Sequence, residues 1–200
     1  MVWLRKALVV LCILATAGLP AMPQAQQASE SSSLLAGPVN ALFPPTGNPI
    51  RKELPSPLAL QGDWTLKGWV KVDSQPGGPR TIAALVDEKG TALVAIAVAD
   101  GRIGAVAGGA PIVLGSKGKV GEWQLVTLAS EAGKLVLAID GGAPAQVGVS
   151  PSAPAVALIL APRSAGRELF RGAVASLAVF KNSREQTGRI VWAKPEERLI

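Results

Sequence analysis

Gly121-Glu122-Trp123-Gln124-Leu125-Val126-Thr127-Leu128-Ala129-Ser130-Glu131-Ala132-Gly133-Lys134-Leu135-Val136-Leu137-Ala138-Ile139-Asp140-Gly141 reads as two strands and the turn between them. Strands are expected over 123–129 and 134–140, separated by Glu131-Ala132-Gly133 and closed by Asp140-Gly141-Gly142. In the second run Leu135, Leu137 and Ile139 alternate against Val136 and Ala138, so both faces are apolar. A strand apolar on both sides belongs near the middle of a layered β fold, covered above and below.

Outward from this hairpin the same pattern repeats. Short apolar or alternating runs predict further strands over 64–72, 81–86, 91–99, 102–106, 155–160 and 173–180. Between them stand Pro76-Gly77-Gly78-Pro79, Glu88-Lys89-Gly90 and Asp100-Gly101. Asp-Gly between two apolar runs is a strong hairpin signal, because both turn residues must take positive φ. Many short strands at this spacing predict an all-β, two-sheet antiparallel sandwich over residues 50–182. In 64–72, Trp64, Leu66, Gly68, Val70 and Val72 share one face, and Thr65, Lys67, Trp69 and Lys71 share the other.

The ends differ from this middle. Arg5-Lys6, an apolar run from Ala7 to Leu19, and small residues around Ala21 and Ala25 have the order of a secretory signal peptide, expected over 1–25. The run is shorter than the roughly 20 residues that a membrane span needs, so no stable span is expected once it is removed. Cys12, the one cysteine, lies inside it. The remaining chain then has no thiol and depends on its core alone. Residues 26–49, rich in Gln, Ser and Pro, are expected to be a linker, and 183–200 a tail. Ser183-Arg184-Glu185-Gln186 has the capping-box form that opens a short helix. The expected location is periplasmic or secreted.

Composition removes whole classes of chemistry. The 200 residues include no His and no Tyr. A Ser-His-Asp or Cys-His site, a His-ligated metal and a tyrosine nucleophile are therefore excluded. The net charge of +6 falls by two with loss of Arg5 and Lys6, and the remaining basic residues are scattered. With export, this argues against a nucleic-acid partner.

Three segments in order resemble the laminin-G-like, concanavalin-A-like jelly-roll family. Asp63-Trp64-Thr65-Leu66-Lys67-Gly68-Trp69-Val70-Lys71 is similar to its early aromatic strand. Gly121-Glu122-Trp123-Gln124-Leu125-Val126 with Leu135-Val136-Leu137-Ala138-Ile139-Asp140-Gly141 is similar to its hairpin. Phe170-Arg171-Gly172-Ala173-Val174, running on to Phe180, is similar to its closing strand. The resemblance implies a jelly-roll sandwich with Trp64 and Trp123 at core positions. Two departures stand out: Ala175-Ser176 where the family usually carries acidic residues, and Gln124 where His is frequent.

A glucanase-type site in this fold needs two carboxylates close together on one strand face. No Glu-x-Asp-x-Glu form is present. Asp87 and Glu88 are adjacent and precede Lys89-Gly90, as turn residues do. Gly115-Ser116-Lys117-Gly118-Lys119-Val120 lacks the first Gly and the final Ser/Thr of a phosphate loop. Calcium would require Asp87, Asp100 and Asp140 to converge from separate turns. No cofactor and no metal are therefore expected, and no catalysis. What remains is Trp69, on the more polar face between Lys67 and Lys71. Aromatic faces stack on sugar rings, so Trp69, Lys67 and Lys71 are the candidate carbohydrate-binding residues, the lysines favouring an acidic sugar. Two readings follow: an exported non-catalytic module for a glycan or cell-surface polysaccharide, or a structural N-terminal domain of a larger secreted enzyme such as a glycoside hydrolase. Trp192 is expected to dock the tail onto the sandwich.

Overall fold

The structure is a computed structural model, and it describes residues 34–44, 48–73, 78–115, 119–162, 169–181 and 192–196. Twelve strands run in chain order: β1 (Leu34–Phe43), β2 (Ile50–Leu58), β3 (Trp64–Val72), β4 (Arg80–Val86), β5 (Ala92–Ala99), β6 (Arg102–Ala107), β7 (Val113–Leu114), β8 (Trp123–Glu131), β9 (Lys134–Ile139), β10 (Ala145–Val149), β11 (Ala155–Leu160) and β12 (Gly172–Phe180). They form two six-stranded sheets, ordered β1-β12-β3-β8-β9-β10 and β2-β11-β4-β5-β6-β7. Every pairing is antiparallel. The all-β sandwich read from the sequence is the observed fold.

The core lies between the sheets. Trp64, Leu66, Val70, Val126, Leu128, Leu135 and Leu137 of the first sheet meet Ile82, Leu85, Ile96, Ile103, Leu158 and Leu160 of the second. Trp64 is fully buried there and donates its indole N–H to the Leu60 carbonyl at 2.9 Å. The turns follow the sequence signals. Asp100 and Gly101 (φ 51° and 69°) join paired Ala99 and Arg102, and Ala132 and Gly133 (φ 50° and 75°) join paired Glu131 and Lys134. Both are two-residue loops with positive φ at each position, the twist that antiparallel strands require.

One expectation about the chain's start needs correction. The segment expected as a linker over 26–49 is a strand from Leu34 to Phe43, with Val39 and Phe43 buried in the core. Gly37, Pro38 and Asn40 interrupt its alternation, which hides it from a periodicity reading. Pro38 is tolerated because β1 is an edge strand of its sheet. β2 is likewise an edge strand, carrying Pro55, Pro57 and an exposed Arg51–Glu53 ion pair at 2.5 Å. Prolines and charges are how natural sheets keep their edges from pairing with other chains. The expected signal peptide, the first part of the linker and the expected short helix lie outside the described residues.

Candidate functional site

The outer face of the first sheet is built by alternation on its central strands. Trp64, Leu66, Val70 and Val72 of β3 turn inward, so Lys67, Trp69 and Lys71 turn outward, as the sequence predicts. Val126 and Leu128 of β8 face the core, so Trp123, Leu125 and Thr127 turn outward as well. Pairing aligns the two sets. Lys71 stands opposite Trp123, Trp69 opposite Leu125, and Lys67 opposite Thr127. On the other side Ala173, Ala175 and Ala178 of β12 are their partners. Small residues beside β3 leave room for its three long side chains, Lys67, Trp69 and Lys71.

The core position that the family resemblance implies for Trp123 does not hold. Trp123 is outside the inter-sheet core, in a separate cluster with Trp69, Ala173, Leu125, Ala175 and Trp192. Trp69 also differs from an open platform. It is only 8% exposed, Trp123 6% and Lys67 8%, while Lys71 is half-buried. The tryptophans shield each other, and the segment 192–196 adds Trp192 to them. Trp192 sits with its ring centroid 5.2 Å from the Lys67 Nζ and meets Phe180 edge-on at 6.1 Å and 83°. The tail thus docks onto the sandwich through Trp192.

Two grooves open on this face. The first, about 540 Å³, is lined by Asn40, Leu42, Trp123, Ser176 and the segment Ala193–Glu196. The second, about 470 Å³, is lined by Lys67, Leu125, Thr127 and the turn Gly141–Pro144. The indole N–H groups of Trp69, Trp123 and Trp192 are buried without an acceptor. A buried donor left unpaired costs roughly 1–3 kcal/mol, so three around one face is an unusual concentration. Burial also pushes the Lys67 ammonium below its ordinary range, because the charged form loses hydration there.

The first groove depends on a bulge. Ala175 pairs with Trp69 and Ala178 with Lys67, so β12 sets two residues, Ser176 and Leu177, against Gly68 alone on β3. Ser176 takes φ 54° and donates its N–H to the Asn40 Oδ1 at 2.7 Å. This re-aims the strand and places Ser176 on the groove wall, a use that bulges often serve. Sequence reasoning missed Asn40 and Ser176, since bulges have no periodicity signal. Trp123 was within reach: the alternation that sorted 64–72 sorts 123–128 equally well.

The acidic residues do not converge. Asp87 Oδ1 accepts the N–H groups of Lys89 and Thr91, and Asp140 Oδ1 accepts that of Leu125, each at 2.8–2.9 Å. Asp100 occupies its hairpin turn. Among the described residues no group of three or more His, Cys, Asp or Glu is placed to hold a metal ion. No helix of the described residues is long and apolar enough to cross a membrane. The centre of the phosphate-loop-like stretch, 116–118, lies outside the described residues.

A laminin-G type family, described as the concanavalin A-like lectin/glucanases superfamily, matches residues 48–187. The chain belongs to this superfamily. Solved structures share the concanavalin A-like fold at low identity. Trypanosoma rangeli sialidase is similar over 64% of this chain and 22% of its own, with a TM-score of 0.53 and 16% identity. The receptor binding domain of botulinum neurotoxin C/D mosaic serotype is similar over 70% of this chain and 38% of its own, with a TM-score of 0.53 and 11% identity. The concanavalin A-like domain therefore spans well under half of the solved chains that it matches. No curated protein matches the sequence.

Proposed function

We propose that the protein is an exported, non-catalytic carbohydrate-binding module whose ligand lies on the outer face of the first sheet. The observation that carries this reading is Trp123, whose indole lines a groove of about 540 Å³ on this outer face. A sugar ring offers an apolar face against which the indole can stack. Asn40 and Ser176 supply polar groups to the same groove. Trp69 stands behind Trp123 and holds it in place, and Lys71 lies beside it. The superfamily and the receptor-binding neighbour are consistent with a partner of this chemistry. Export rests on the order of charge, apolar run and small residues at the start of the chain.

The test is binding of the full chain to a panel of immobilised polysaccharides, with Trp123→Phe and Trp123→Ala. Phenylalanine keeps the ring and loses the N–H, so it should weaken binding less than alanine does. Wild-type retention lost in Trp123→Ala at an unchanged fold supports the reading. Retention that Trp123→Ala leaves intact contradicts it. The second reading, an accessory domain within a longer secreted enzyme such as a glycoside hydrolase, is favoured by one observation. The fold accounts for 22% of the sialidase chain that it matches.

A further inference from the structure

The second groove contains a charge that no described residue balances with a carboxylate. Lys67 is 8% exposed, and among the described residues no carboxylate pairs with it. Its Nζ has the Trp192 ring at 5.2 Å as its neighbour. Asp140, which precedes the groove's turn, accepts the Leu125 N–H on its Oδ1. Sequestering an ammonium without an anion is costly, and natural proteins seldom do it without a purpose. Yet the group is not sealed in the core. The Lys67 side chain lines an open groove of about 470 Å³, together with Leu125, Thr127, Ala138 and the glycine-containing turn Gly141–Pro144.

We infer that this groove is an anion subsite, in which Lys67 takes the charged group of an acidic sugar. The inference rests on the carbohydrate reading above and adds its selectivity. Thr127, 8% exposed and directly opposite Lys67 in the ladder, provides a hydroxyl within the same wall. The turn at Gly141 and Gly142 carries no side chain beyond Cα, so a ring substituent can approach its backbone. The Trp192 ring, 5.2 Å from the ammonium, gives it a cation–π contact that leaves its positive charge unneutralised for an anion. The preference is thus for a ring bearing a carboxylate or a sulfate ester, with the uncharged ring as the poorer ligand. The lowered proton affinity of Lys67 agrees with a site that lacks its counter-ion.

Titration of the 15N-labelled full chain with glucuronate, glucose 6-sulfate and glucose tests this. Both charged sugars should shift the amides of Thr127, Gly141 and Gly142 saturably, and bind at least about tenfold more tightly than glucose, as a charge-assisted hydrogen bond allows. The carboxylate and sulfate arms show which anion the groove accepts. Lys67→Met should remove the preference while keeping a folded spectrum, and Lys67→Gln provides the same reading if methionine perturbs the fold. Equal affinity for glucose and both charged sugars, or a preference that survives in the variants, overturns the subsite and leaves the carbohydrate reading standing. Absence of any sugar-induced shift, including at the Trp123 indole N–H, overturns both.

Discussion

Trp69 and Trp123 are large side chains on the wrong side of the sheet for the inter-sheet core, yet 8% and 6% exposed. Their burial is mutual, completed by Trp192. Truncating Trp69 therefore removes packing rather than an open platform, and Trp69→Ala should cost about 3 kcal/mol or more. Chemical denaturation of the variant checks this, and a loss below about 1 kcal/mol would show that Trp69 is accessible after all. Lys67 makes the opposite case. Its ammonium is held below its ordinary value of 10.5 by burial, so the unfolded chain binds the proton more strongly than the folded one does. Stability then rises with pH through the window below 10.5 and stops rising above it. Lys67→Met should melt at or above the wild-type temperature near neutral pH, with the gap closing as pH approaches 10.5. Melting curves of both proteins across that range decide the point; a gap constant with pH contradicts it.

At the level of the element, close approach explains what the alternation alone does not. Gly68 lies on the core face of β3, where a side chain would normally pack. A Cβ there would come within 2.5 Å of the Leu177 Cα, because the bulge at Ser176 throws Leu177 over it. Gly37 on β1 abuts the Leu177 carbonyl from the other side. Gly68→Ala should destabilise by about 1–3 kcal/mol, and Leu177→Ala should not rescue it, since the clash is with backbone. Melting of the single and double variants is the measurement. The bounds of β3 and β11 were legible from alternation and from their flanking turns, and β12 to within one residue. β1 and β2 were not, because Pro38, Pro55 and Pro57 mark edges with the same residues that mark loops. β7 has two residues and β10 carries Gly148, so neither holds a period long enough to read. The outward direction of Lys67, Trp69 and Lys71 was legible. Their burial was not, since it depends on Trp192 packing against the face from far along the chain.

At the level of the whole molecule, two sheets leave two outer faces of different character. The second sheet carries a small-residue cluster of Ala84, Val86, Ala95 and Ala157, and the first carries tryptophans, lysines and two grooves. Function is assigned to the first for that reason. If the proposed export holds, N-terminal sequencing of the exported product should begin after Ala21 or Ala25; a product retaining Met1 in the cytosol contradicts export. The central claim is that a glycan lies against Trp123 on the outer face of the first sheet. A crystal structure with an oligosaccharide cut from the tightest-binding polysaccharide tests it most directly. The expected result is a sugar ring in the 540 Å³ groove, packed on the Trp123 ring with Asn40 and Ser176 near its hydroxyl groups. A ligand on the second sheet, or at the loops that end the sandwich, would contradict it.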